Sequence, residues 1–426
     1  MLVVPFSALL ISPDDFRAKA LFWAARFRYC AYYEPNGLAY PQGPFAQLLA
    51  VRTTEAPSPA TLAELRTWLQ LPRQVPVCGF LTYDVKNQIE ALHSAHFDGL
   101  CWPELHFFEP EIWLYWRPEG VEINGPDGVL EDILATEILP VEESVSVTAM
   151  HPRMSKPDYL AAVASVREEI LDGEVYELNL CQEFYAEQVS LDPVSTFLRL
   201  NRASPTPFAC FYKWHDRYLL CASPERFLRQ NGLQLLSQPI KGTIRRGTSP
   251  IEDIELKSLL FNDEKERAEN LMIVDLVRND LSRVAQTGSV QVPELFGLYP
   301  FRHVWQMIST VTALRRPDLD AVDVLLAAFP MGSMTGAPKV RAMQLIEHYE
   351  HTRRGLYSGC VGYIWPAGDF DFNVVIRSLQ YNAGTGYLSF QVGSAITYDS
   401  EPQREYDECL LKARAMLEVL GAVVQE

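Results

Sequence analysis

The chain has 426 residues, of which 48% are hydrophobic, 21% charged and 11% aromatic, ordinary globular proportions with ample material for a core and no sign of a disordered chain. Its 37 Lys and Arg against 54 Asp and Glu leave a net charge of −17, which speaks against general binding to nucleic acid or anionic membranes, because both need basic patches. The length suits two to three domains or one large unit, and eight cysteines without a CxxC pair suit buried, reduced thiols in a soluble, cytoplasmic protein.

Leu2–Ile11 is apolar but too short to span a membrane and has no basic flank. Up to about residue 145 the pattern is irregular and rich in aromatics and proline. It carries a helical stretch over Pro59–Leu71 and a strand-like run over Val75–Asp84. The two-proline stretch Val141–Lys156 marks the expected boundary between an N-terminal region, 1–145, packed on the core, and a main domain, 150–423. There the sequence predicts a helix over Lys156–Leu171, closed by Asp172-Gly173, and strands over Phe208–Trp214, Arg217–Ala222 and Gly232–Pro239. A helix follows over Asp263–Ala285, then strands over Gly359–Pro366, Asn373–Tyr381 and Gly386–Val392. A last helix starts at Ser400, with Gln403 completing a capping-box pattern, and stops before Gly421. Runs of strands and runs of helices without βαβ alternation argue for an α+β fold with antiparallel sheets.

Four groups of residues could carry chemistry. Glu266 and Glu269 lie three apart on one predicted helix, Glu405 and Glu408 three apart on another, so each helix can show two carboxylates on one face. Were the two faces to converge, they would suit Mg²⁺, which takes one or two carboxylates directly and keeps waters; solvated surface acids are the plain alternative. Phe329–Lys339, with Gly332 and Gly336, is a glycine-rich turn before an apolar-periodic helix. It offers backbone N–H groups to an anion, or is only a tight turn, and its spacing is not that of a P-loop. Lys241 stands between a strand and Gly242, as a nucleophile if its pKa is lowered by burial and otherwise as a solvated lysine. Arg377 follows a largely apolar run, so it must be paired, either structurally or with a carboxylate ligand. His93/His96 and His348/His351 sit in no metal-binding motif.

Taken together, Gly173–Asn179, Ala222–Phe227, Pro239–Thr243, Glu266–Asp280, Gly332–Lys339, Gly359–Tyr363, Ile376-Arg377 and Glu405–Ala415 resemble the chorismate-utilising enzymes, in family order over about residues 150–423. Within them the chain is most similar to those that aminate chorismate at C4 on the way to 4-aminobenzoate and folate. The resemblance implies two packed antiparallel sheets with outer helices, and Mg²⁺ held directly by Glu269 and Glu408 and through waters by Glu266 and Glu405. It implies that the metal grips the ring carboxylate of chorismate, while Arg377, Tyr363 and backbone N–H groups around Gly393, with Ser394 beside them, hold the enolpyruvyl carboxylate. Thr243 and Gly336 are carried over as substrate-binding positions. Lys241 would attack C2 as the C4 hydroxyl leaves with a proton from Glu225, and ammonia would then attack C4 and expel the lysine.

Anthranilate synthases, which aminate at C2 with loss of pyruvate, usually carry Ala where Lys241 stands. Isochorismate synthases and a catalytically silent chorismate-binding subunit are the other rivals. Three departures from the family pattern stand out: Gln306 where many relatives have His, Ser394-Ala395 after Gly393 where Ala-Gly is usual, and Glu177 in place of a common glutamine. No Gly-x-Cys-x-Gly elbow occurs, so ammonia is expected from a separate glutamine amidotransferase subunit. The product is expected to leave as 4-amino-4-deoxychorismate, no lyase domain following Gly421.

Overall fold

The structure, a computed structural model, describes residues 1–55, 58–138 and 147–425. The expected boundary at Val141–Lys156 falls partly on 141–146, outside the described residues. Among the described residues the strands form a sheet of thirteen and a sheet of nine, antiparallel throughout except for the short pair Val423–Val424 beside Ala149–Met150. The larger sheet runs through Tyr29–Glu34, Phe208–Trp214, Arg217–Ser223, Ser378–Asn382, β4 (Tyr387–Ile396) and β1 (Glu177–Ala186). The smaller contains β2 (Ile240–Arg245) and β3 (Val304–Leu314), then Gln234–Gln238, Arg226–Asn231, Phe370–Asn373, Cys360–Ile364 and Val77–Leu81. Strands from the first 145 residues thus enter both sheets: Tyr29–Glu34 pairs with Phe208–Trp214, and Val77–Leu81 with Cys360–Ile364.

The core has three apolar layers, as an α+β sandwich with outer helices requires. Between the sheets lie Tyr33, Phe45, Phe80, Phe208, Tyr212, Val361 and Tyr363. Helices α1 (Lys156–Leu171) and α3 (Pro402–Leu420) cover the far side of the larger sheet through Tyr159, Val163, Val166, Cys409, Ala413 and Met416. Helix α2 (Glu264–Ser282) puts Val274 and Leu281 into the layer outside the smaller sheet. Local sequence accounts for most of the helix ends. Ser155 accepts from Asp158 N and Asp263 from Glu266 N, and α3 ends on Gly421 at φ 67°, a left-handed position where glycine adds no Cβ penalty.

Two local expectations do not hold. The capping box at Ser400 does not form: Pro402 opens the helix one residue later, Ser400 Oγ accepts from Thr397 N at 3.0 Å, and Gln403 Nε2 donates to Asp407 at 2.8 Å. The run predicted as one strand, Asn373–Tyr381, is two strands in different sheets. The chain crosses between them over 374–377 with Arg377 at φ 50°. Its apolar residues looked like a strand because the crossing itself is buried.

Candidate active site

Strands β1 and β2 and helices α2 and α3 approach one another around Lys241. Lys241 lies where β2 shifts register against β3, between Ile240 and Thr243. Gly242, at φ 94°, permits that kink and a close approach, since a Cβ there would stand 3.1 Å from Met307 Cβ and 3.3 Å from Glu266 Oε2. The kink lets the Lys241 ammonium donate to Glu177 Oε1 across the gap at 2.8 Å. Glu177 is 1% exposed, and its Oε2 has no hydrogen-bond partner among the described residues.

Glu225 follows the strand Arg217–Ser223 and is buried, accepting from Ser333 Oγ at 2.8 Å. Burial pushes its pKa up to about 7, opposed by the Ser333 hydrogen bond and by the charges of Lys241 and Arg377. A carboxyl in that range is half protonated at neutral pH and can donate a proton. The guanidinium of Arg377 makes no hydrogen bond or ion pair among the described residues, and burial lowers its pKa while Glu225 partly restores it. Of the two alternatives open for Arg377, the described residues supply no structural partner, which leaves the carboxylate ligand. A desolvated, unpartnered cation is costly and suits an incoming carboxylate.

The acidic couplets of α2 and α3 converge. Burial and the charges of Glu269, Asp263 and Glu408 push Glu266 up to about 7, and burial with Glu177 raises Glu269 against Lys241 and Lys265. Glu408 is lowered: burial raises it, but Lys412, Lys241 and Lys265 outweigh that. Lys265, at 3.7 Å from Glu269 Oε1, feels Glu405, Glu266 and Glu408 as well. Concentrated negative charge that only lysines now balance is an all-oxygen donor set fit for a hard divalent cation. Among the described residues no three acidic, histidine or cysteine side chains gather closely enough to enclose an ion, so the arrangement fits an ion that takes one or two carboxylates and fills its shell with water and substrate oxygens.

Gly393 on β4 faces Cys181 on β1, and a Cβ there would stand 2.5 Å from Cys181 Sγ. Lys412 Nζ donates to Gly393 O at 2.8 Å, and Ser394 Oγ lies 3.1 Å from Tyr159 OH. Gly336 pairs with Leu178, at φ 148° and with no room for a Cβ, which would stand 2.1 Å from Glu177 O; it thus helps hold Glu177 in place. Thr243 is exposed, opposite Gln306, whose two amide atoms are buried without partners among the described residues.

Tyr363 lies apart from this group. Its strand places it between the sheets, packed against Tyr33, Phe45 and Trp365, with its hydroxyl accepting from Ala46 N at 2.8 Å. The tyrosine beside Gly393 is Tyr357, whose hydroxyl accepts from Cys181 Sγ at 3.7 Å. Sequence reading passed over it because Gly355-Leu-Tyr-Ser-Gly359 looks like a plain turn. Glu177 and Ser333 were likewise given no role, since both lie far in sequence from the side chains they touch.

Residues 29–418 match the family described as chorismate binding enzyme. Aminodeoxychorismate synthase component 1 of Escherichia coli is 41% identical over 358 residues, 82% of this chain and 78% of that protein. The Bacillus subtilis protein of the same name is 34% identical over 371 residues, 82% of this chain and 77% of that one. The crystal structure of anthranilate synthase component I from Streptococcus pneumoniae superposes with a TM-score of 0.74 at 28% identity, covering 91% of this chain and 89% of that one.

Proposed function

We infer the function from one premise: this chain belongs to the family of chorismate-binding enzymes. It is an enzyme that aminates chorismate at C4, giving 4-amino-4-deoxychorismate, the precursor of 4-aminobenzoate and folate, as the names of its relatives indicate. The observation that carries the residue-level reading is the Lys241 amine beside the site, with Glu225, pushed up to about 7, in electrostatic reach.

In this reading the neutral Lys241 amine attacks C2 of chorismate and both ring double bonds shift, C1=C2 to C1=C6 and C5=C6 to C4=C5. The C4–O bond breaks, and the hydroxyl leaves as water with the proton of Glu225. Ammonia then attacks C4, both double bonds shift back to C5=C6 and C1=C2, the C2–N bond breaks and Lys241 is released. Arg377 holds the enolpyruvyl carboxylate, with Tyr357 rather than Tyr363 at the Gly393 end. Glu269 and Glu408 would hold Mg²⁺ directly, and Glu266 and Glu405 through waters; the ion would bind the ring carboxylate and offset the negative charge there. Ammonia would come from a separate glutamine amidotransferase subunit, the second component that the relatives' names suggest. No helix among the described residues is long and apolar enough to cross a membrane, and we place the enzyme in the cytoplasm.

Product identification tests this. The protein is incubated with chorismate, Mg²⁺ and ammonium, with and without an aminodeoxychorismate lyase. 4-Aminobenzoate appearing only with the lyase is the expected result; anthranilate would overturn it in favour of amination at C2, and intact chorismate in favour of a silent subunit.

A further inference from the structure

The mechanism above requires a neutral lysine, and the structure shows the opposite resting state. Lys241 Nζ donates to the buried carboxylate of Glu177 at 2.8 Å, an ion pair that holds the lysine as an ammonium. An ammonium has no lone pair, so a proton must leave before C2 can be attacked. The charged groups facing Lys241 are Glu177 from β1, Glu269 from α2, Glu408 from α3 and Glu225 from the segment after Ser223. Only Glu177 lies within ion-pair distance among the described residues. Glu225 is committed to donating a proton, not taking one.

Glu177 is also held rigidly. Tyr176 N donates to Ala337 O at 2.7 Å, Ala337 pairs with Glu177, and Gly336 closes on the Glu177 carbonyl. Its Oε1 takes the lysine, and its buried Oε2 is free of partners among the described residues.

We propose that Glu177 is the positioning residue and proton acceptor of Lys241. This rests on the functional reading above. The transfer turns a buried ammonium–carboxylate pair into a buried amine–carboxylic acid pair: one N–H bond breaks, one O–H bond forms, and no net charge moves to solvent. The freed lone pair forms the C2–N bond. After ammonia has displaced the lysine, Glu177 returns its proton to the amine, so the cycle consumes one proton, that of Glu225, which is recovered from solvent.

An internal transfer has a signature that packing alone lacks. With Glu177 present, the reactive pair carries the same number of protons as the resting pair, so freeing the lysine adds no dependence on bulk pH beyond that of Glu225, which both proteins share. In Glu177→Gln the proton must go to solvent, and attack slows roughly tenfold for each pH unit lowered. The experiment leaves out ammonium and follows, by intact mass, the gain of chorismate less one water, under saturating chorismate and Mg²⁺, from about pH 6 to about pH 7. The ratio of wild-type to Glu177→Gln rates is expected to grow about tenfold on going down that one unit, with chorismate KM unchanged in ordinary turnover. A pH-independent ratio would overturn the proposal. Glu177→Asp, which keeps a carboxylate, is expected to react more slowly but with the wild-type pH dependence; a tenfold-per-unit slope there would also overturn it, and this variant decides the matter should Glu177→Gln fold poorly. Wild-type protein that makes no C4-aminated product would bring down the functional reading itself, whereas normal product with an unchanged Glu177→Gln profile brings down only the role of Glu177.

Discussion

Two arginines are fully buried among the described residues, and a third, Arg377, is partly buried, and the three divide the protein into two regions. Arg226, in the smaller sheet, donates to both oxygens of Asp371 at 2.8 and 2.9 Å and to Gly43 O at 2.6 Å. Arg354 donates to Glu350 at 2.6 and 2.9 Å, to Met334 O at 2.6 Å and to Asn179 O at 2.8 Å. The side chain of Arg377, in the crossing between the sheets, donates to nothing among the described residues. A scaffold charge is enclosed by its own partners because leaving it bare costs several kcal/mol. In the proposed function, Arg377 is left bare for a carboxylate that arrives from outside. The acids divide the same way: Glu350 is held by Arg354, while Glu225 keeps a proton near neutral pH for want of an ion-pair partner.

The sharpest test of that division is Lys241→Ala, which should reduce amination to background and abolish the adduct expected by mass spectrometry in the wild type. Turnover near the wild-type rate would remove Lys241 from the chemistry. Glu225→Gln is next, expected to lower kcat by roughly 10²- to 10⁴-fold. Its effect on stability should have the opposite sign. A carboxyl whose folded pKa is raised to about 7 favours folding at acid pH and loses that contribution as pH rises through about 7. The glutamine variant should therefore be more stable than wild type above neutral pH, by on the order of 3 kcal/mol, and gain nothing at about pH 4. Urea titrations at both pH values would show it.

On the scaffold side, Glu350→Ala strands the Arg354 charge and should cost about 3–5 kcal/mol, read as a lowered urea midpoint. Arg377→Met is the smallest change and the one that most directly contrasts the two regions. It should raise the KM for chorismate roughly 10- to 100-fold, from the loss of a charge-assisted contact, yet leave the urea midpoint unchanged or higher. A large loss of stability in Arg377→Met would mean that this arginine belongs to the scaffold after all.

Much of this was legible along the chain. The i, i+3 couplets, the Ser155 and Asp263 caps, the Gly421 stop and the strand pair Phe208–Trp214 and Arg217–Ser223 all arise from contacts a few residues apart, and the pattern shows them directly. The strand-like run Gly359–Pro366 was legible and the family resemblance carried Tyr363 over as a substrate-binding residue, but neither showed which gap its side chain enters. The failed capping box at Ser400 was decided by competition between Ser400 and Pro402 for the first turn, which a motif alone does not weigh.

The sequence by itself determined the helices, most of the strands, the family and the four carboxylates, because periodicity, caps and motif order are local or collinear properties. The tertiary structure alone decided that the couplets meet and that Arg377 stands without a partner. It also decided that Tyr357 rather than Tyr363 lies beside Gly393, and that Lys241 is held by Glu177, 64 residues away. Those outcomes depend on which elements meet and on which charges find partners, and desolvation acts on groups brought together in space with no regard to their separation along the chain.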